Sequence, residues 1–222
     1  MSSLKEIKTR IASVKNTLKI TSAMKMVASA KLHKAQTAIG NKLPYEQQLH
    51  RMLAGLLQSE DLRESLGKEL GLSSRNGKSP VVLQDVDMDV LPSKKDAERV
   101  ALVVFSSNSS LCGAFNANVI RKFNETVSRL REHGYELKDM DVFAVGKKAA
   151  DAAVKAGFQL DEDFTDLADK PSYDWTVDLA SELIDRFSDG EVEQVIFIYS
   201  HMASTSSQPV IRENYLPLAL HD

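Results

Sequence analysis

The chain has 222 residues, 43% of them hydrophobic, and 28 Lys and Arg against 31 Asp and Glu leave a net charge of −3. That length holds one ordinary domain plus an appendage, and the near-balance of charge argues against a protein wholly devoted to nucleic acid. One cysteine, Cys112, excludes an internal disulfide and fits a reducing compartment, while no apolar run approaches the roughly 20 residues that span a bilayer.

The N-terminus is basic, but no apolar stretch follows it as a secretory signal requires. Its Lys-rich amphipathic character resembles a transit peptide only superficially, since those favour Arg and Ser and this segment is long and regular. The expectation is a soluble protein whose membrane association, if any, comes through a partner.

Residues 1–39 read as one long helix. Ser2 or Ser3 caps its first turn, with Glu6 three residues after Ser3 as in a capping box. No Gly or Pro occurs before Gly40, so the helix would run about 55 Å at 1.5 Å per residue. Leu4, Ile7, Ile11, Val14 and Leu18 recur at alternating spacings of three and four, the heptad seam by which one helix lies along another. Beyond Leu18 the seam positions become Thr21, Lys25 and Ala28, and small residues spread around the rod. Lys5, Lys8, Arg10, Lys15, Lys19, Lys25, Lys31 and Lys34 face one acid, Glu6, giving these residues +7 and the remaining 183 a charge of −10. Rod and body therefore face different surroundings.

Asn41 to Pro44 predict a break or kink, because Pro44 cannot donate to a preceding turn. A second helix is predicted from Tyr45 to Ser59, with Leu49, Met52, Leu53, Leu56 and Leu57 on one face. Gly71 to Glu98 reads as loop, apart from a short strand at Val81 to Leu83.

From Arg99 strands and helices alternate. Val100 to Phe105 is an apolar run suited to a strand buried on both faces. A small-residue loop, Ser106 to Gly113, leads into a helix from Asn116 to Glu132 ended by Gly134. Val142 to Val145 is a second strand, Lys147 to Ala156 a short helix, and Phe158 to Phe164 a third strand. Tyr173 to Phe187 is an amphipathic helix with Trp175, Leu179, Leu183, Ile184 and Phe187 on its buried side. Val195 to Tyr199 is a strong strand, and Pro209 to Leu218 is extended and suited to an edge. The pattern predicts an α/β protein in which a long N-terminal coiled-coil helix joins a Rossmann-like, mostly parallel sheet domain. Its parts are a helical shaft at 1–60, a helix end and loop insertion at 61–98, and the α/β domain at 99–222.

Candidate chemistry is sparse. The loop Ser106 to Gly113 lies where α/β folds bind phosphate, but it matches neither the dinucleotide nor the phosphate-loop glycine pattern, so a plain tight connection is favoured. Cys112 at a helix start invites a reactive thiol, yet neither His133 nor His201 has the spacing of its base, and a small buried side chain is expected. Ser200, His201 and Ser204 to Ser207 lack a nucleophile elbow and read as a polar turn. Asp161, Glu162, Asp163 and Asp166 lack calcium-loop spacing, and His33, His50, His133, His201 and His221 lack metal-site spacing. No catalytic, cofactor or metal site is assigned. The basic rod suits nucleic acid, an anionic membrane or a protein assembly; without aromatic residues inside it, the heptad seam favours a protein partner.

The opening Leu4-Lys5-Glu6-Ile7-Lys8-Thr9-Arg10-Ile11-Ala12-Ser13-Val14-Lys15-Asn16-Thr17 resembles the start of the gamma subunit of F-type ATP synthases. So does Lys19 to Lys31, and weaker likenesses occur at Pro44-Tyr45, at Leu111 to Asn116 and at Gln208 to Pro217. The resemblance covers most of the chain and is thinnest from Gly71 to Glu98. It implies a central-stalk rotor subunit, non-catalytic itself, that couples ion-driven rotation to ATP synthesis or hydrolysis in a ring of alpha and beta subunits. It also implies an epsilon subunit and a c-subunit ring as partners. The location implied is peripheral, through that proton-transporting complex, at the cytoplasmic face of a bacterial inner membrane. By the same carry-over, Ile20, Thr21, Met24, Lys25, Val27 and Lys31 contact the alpha/beta ring, with Met24 and Lys25 facing the beta-subunit lever loop. Leu4, Ile7, Ile11, Val14 and Leu18 would form the seam toward a C-terminal helix, which this chain lacks. No cofactor and no nucleic acid are implied. The alternative from the residues alone is a phosphate- or nucleotide-binding α/β protein with a basic helical arm.

Overall fold

The computed structural model describes residues 3–57, 81–82, 91, 99–160, 163–204 and 206–219. The chain divides into two compact units, 1–55 and 56–222.

The first unit is built on α1 (Leu4–Leu57), a helix 54 residues long and hence about 80 Å from end to end. Ser3 caps it, its Oγ accepting the Glu6 N–H at 3.4 Å. The expected break at Asn41 to Pro44 and a separate helix at Tyr45 do not occur: Pro44 lies inside α1. A proline deletes one backbone bond, here the one to the Gly40 carbonyl, and crowds that same carbonyl. The helix continues on both sides of Pro44, so a single lost rung is absorbed. Thr9, Thr17 and Thr37 turn their hydroxyls back onto carbonyls four residues earlier at 3.0–3.1 Å, which satisfies them within the rod.

The second unit contains β1 (Val81–Val82), β2 (Arg99–Phe105), α2 (Phe115–Glu132), β3 (Met140–Val145), α3 (Lys147–Lys155), α4 (Tyr173–Ser188), β4 (Val192–Ser200), β5 (Val210–Leu216) and β6 (Leu218–Ala219). The main sheet has the order β3-β2-β4-β5, with β2 parallel to both neighbours and β5 antiparallel on the edge. The two-residue strands β1 and β6 pair in parallel. The parallel core and the edge at 209–218 match the sequence pattern, and β1 falls within the expected Val81 to Leu83, of which Leu83 is outside the described residues.

Side chains alternate between two cores. Val100, Leu102, Val104, Val142, Ile196 and Ile198 pack against α2 and α3 through Val119, Phe123, Leu130, Ala149 and Ala153, with Leu91 joining this layer. Ala101, Val103, Phe143, Val145 and Val195 pack against Leu179, Leu183 and Phe187 of α4. Burial on both faces explains why β2 reads as a continuous apolar run.

Two expectations are corrected. Phe158 to Phe164 is not a strand among its described residues; a 3-10 turn follows at Thr165–Ala168. In a strand, residues six apart project to the same face. Here Phe158 enters the α2 side, 5.8 Å from Phe123, while Phe164 enters the α4 side, 6.3 Å from Phe143. The two described ends of the segment therefore lie on opposite faces of the sheet. Trp175 is 47% exposed rather than buried, because it sits in the first turn of α4, before the inward-facing Leu179.

At the start of β3, Asp141 receives Arg99 and, at 3.5 Å, Arg186; Arg186 also pairs with Glu182 at 2.5 Å and lies over the Phe143 ring at 5.4 Å. This network ties α4 to the sheet.

Candidate functional site

Two places bear on function: the surface of α1 and the loop following β2.

Every described side chain of α1 is exposed except the half-buried Gln36 and His50. The seam residues Leu4, Ile7, Ile11, Val14 and Leu18 are 45–71% exposed. Among the six predicted ring-contact residues, Ile20, Met24, Val27 and Lys31 follow spacings of four, three and four and form one stripe. Thr21 and Lys25 sit one position on from Ile20 and Met24, about 100° around the axis, in line with the seam. One rotation thus serves two stripes, not one.

The unbroken helix also carries the seam past Ala28 to members that the sequence reading passed over. Continuing the three-four alternation from Lys25 reaches Ala28, Leu32, Ala35 and Ile39, with Leu32 and Ile39 exposed. The signal was the same heptad count, hidden by two polar steps at Thr21 and Lys25. Lys5, Lys8, Arg10, Lys15, Lys19 and Lys34 are all exposed, so the rod keeps its positive surface.

The loop after β2 folds onto itself and onto the next helix. Ser106 Oγ accepts the Ala149 N–H at 2.8 Å, and Asn108 Oδ1 accepts the Lys147 N–H at 2.7 Å. These two side chains take up free amides at the start of α3. Asn108 Nδ2 donates to the Thr165 carbonyl at 3.0 Å and to Asp169 at 2.8 Å. Asn116, buried in the first turn of α2, accepts the Ser107 N–H at 3.0 Å and donates to the Ser109 carbonyl at 2.8 Å. Its Nδ2 also lies 3.0 Å from Cys112 Sγ. Cys112 is half-buried rather than buried, held against Asn116. The polar groups of this loop are thus spent on tying β2, α2, α3 and the 3-10 turn together. Asn108 and Asn116 carry the arrangement, and nothing in a run of serines singled them out.

Several of the remaining candidates make local hydrogen bonds. Asp163 accepts the Thr165 N–H at 2.9 Å, and its bonds to Thr165, through side chain and backbone, lower its pKa. Asp161, Glu162 and His221 lie outside the described residues. Ser200 donates to the Gln208 carbonyl at 3.1 Å and His201 N–H to the Pro209 carbonyl at 2.8 Å, closing a polar turn between β4 and β5. Among the described residues no group of three or more His, Cys, Asp or Glu is arranged to hold a metal, and no helix is long and apolar enough to cross a membrane.

The described residues thus combine an exposed, basic helix with an α/β unit whose loop after β2 is closed on itself. A family model described as ATP synthase matches residues 3–222. The chain is 44% identical over 220 residues to a protein of Phocaeicola vulgatus named ATP synthase gamma chain, covering 99% of this chain and 67% of that protein. The Bacteroides thetaiotaomicron protein of the same name is 46% identical over 220 residues, again over 99% of this chain and 65% of the relative. The chain therefore belongs to the ATP synthase gamma chain family. It spans about two thirds of the length of these relatives. A solved rotor of the Euglena gracilis mitochondrial ATP synthase matches with a TM-score of 0.39 at 17% identity, over 82% of this chain and 61% of the other.

Proposed function

We propose that this chain is the central-stalk rotor subunit of an F-type ATP synthase, non-catalytic itself, coupling ion-driven rotation to ATP synthesis or hydrolysis. The observation that carries the reading is α1: a 54-residue helix bearing a heptad seam and a second apolar stripe, both exposed. Exposed apolar side chains set in stripes, such as the seam from Leu4 to Leu18 and Ile20, Met24 and Val27, are unfavourable in water and call for covering partners. Relatives named ATP synthase gamma chain over nearly the whole chain support the same reading.

In this account residues 1–60 are the shaft, 61–98 the helix end and insertion, and 99–222 the α/β foot. The seam from Leu4 to Leu18 is the surface for a second helix, the C-terminal one that the resemblance implies and this sequence does not contain, while Ile20, Met24, Val27 and Lys31 face the alpha/beta ring, with Thr21 and Lys25 at the border of both. The foot lies beside the epsilon subunit and the c-subunit ring, which holds the protein peripherally at the cytoplasmic face of a bacterial inner membrane. A basic shaft in a carboxylate-lined sleeve is attracted without being locked at one angle, because each exposed ion pair contributes only about 0–1 kcal/mol.

Lys25→Glu, introduced into the assembled enzyme, should slow ATP-driven proton pumping. Pumping and hydrolysis both unchanged would refute the assignment of Lys25.

A further inference from the structure

The face of the main sheet covered by α4 is unevenly filled. Leu179, Leu183 and Phe187 pack over β2, β3 and the base of β4. Toward β5 the same face carries Phe105, Phe197, Tyr199, Glu213 and Tyr215, all partly or more fully exposed. The rings are already organised. Phe197 and Tyr215 stack with centroids 4.1 Å apart and planes 7° from parallel, and Phe105 sets its edge against Phe197 at 5.4 Å and Tyr199 at 6.4 Å. Glu213 sits across the strand pair from Phe197 and accepts the Tyr199 hydroxyl at 2.6 Å. Tyr215, at the rim, is 37% exposed.

This ledge asks for a particular visitor. Half-exposed aromatic faces attract a flat cation, and a carboxylate with two oxygens retains acceptor capacity after one hydroxyl bond. Phosphate and carboxylate ligands are repelled by Glu213, and an anionic lipid surface would need cations that the ledge does not offer. A guanidinium satisfies both halves of the site, stacking on a ring while it hydrogen-bonds the carboxylate. An ammonium has the charge but not the plane.

We propose that Phe105, Phe197, Tyr199, Glu213 and Tyr215 form a docking site for an arginine-bearing segment of a partner protein, its guanidinium stacked at Tyr215 and paired with Glu213. This surface belongs to the α/β unit alone and does not depend on the rotor reading of α1.

The test uses the full chain produced in its host cells with Tyr215→p-benzoylphenylalanine as a photoreactive probe, irradiated in the intact cells. After irradiation the adduct is mapped by mass spectrometry, with and without a second change at Glu213. The expected result is an adduct on another polypeptide within a few residues of an arginine, its yield falling about tenfold with Glu213→Lys, as loss of a charge-assisted pair implies. Glu213→Gln keeps the shape and the Tyr199 contact, and should give an intermediate yield, which separates lost charge from lost folding. An adduct confined to this chain, one on a second copy of it, one on a segment without arginine, or one insensitive to both Glu213 variants would each overturn the proposal.

Discussion

Gly146 leaves no room beside Ser106 for a β-carbon. A Cβ there would stand 2.3 Å from the Ser106 carbonyl oxygen, and the residue already holds φ at +100°, a backbone region that side chains disfavour. The contact seats the ends of β2 and β3 together, with Ser106 N–H bonded to the Val145 carbonyl at 2.8 Å. Gly146→Ala should therefore destabilise the α/β unit by about 3 kcal/mol, combining strain and displaced backbone. Thermal and urea unfolding of the purified chain measure this, and an unchanged midpoint would show that the two strand ends can separate freely.

Asn108 is the knot of the loop after β2. Asn108→Ala removes the acceptor for Lys147 and the donor to Thr165 and Asp169, which should cost about 1–2 kcal/mol. Asn108→Asp keeps the acceptor but sets a second carboxylate against Asp169. That variant should be the less stable of the two at neutral pH and recover as the carboxylates are protonated on acidification. A pH series of urea melts on both variants distinguishes them.

The strands β2, β3 and β4 could be read from the chain because their central residues are apolar and mostly buried on both faces. What could not be read depends on partners far away in sequence. Asn108 looks like an ordinary loop residue and Asn116 like an ordinary polar residue at a helix start until Lys147, Thr165 and Ser109 come within bonding distance. Phe158 and Phe164 share a spacing that fits a strand, yet they enter opposite cores. Pro44 predicts a break by local rule, yet a long ladder tolerates one missing rung. Leu32 and Ile39 were readable, but Thr21 and Lys25 hid the continuing count. The fate of the α1 stripes was the least legible, since none of the described residues buries them.

Pro44 gives a direct test of the continuous rod. Pro44→Ala restores the bond to the Gly40 carbonyl and should stabilise the local helix by up to about 3 kcal/mol. Hydrogen exchange should slow for the turns flanking residue 44 and stay unchanged near Leu4. Equal exchange in both chains would mean that this stretch is not helical.

Tyr199 predicts an alkaline limit. Partial burial first, and then the bond to Glu213, push its pKa up to about 12 from an ordinary 10.0. The folded chain therefore keeps the phenol proton where the unfolded chain has lost it. Stability from this group is fully present below pH 10 and is lost as pH rises from 10 toward 12. Tyr199→Phe should flatten that part of the stability curve, and ultraviolet titration should lose its latest phenolate component.

The claim on which the account turns is that α1 moves against a surrounding ring during ATP-driven turnover. Met24→Cys, joined by oxidation to a cysteine placed on the facing loop of a beta subunit, tests it in the assembled enzyme. Cys112 lies in the other unit and is the chain's one native cysteine, so the new crosslink is readable. Oxidation should produce the crosslink and stop ATP hydrolysis, and reduction should restore both mobility and rate. Hydrolysis continuing at full rate with the crosslink formed would contradict a turning shaft.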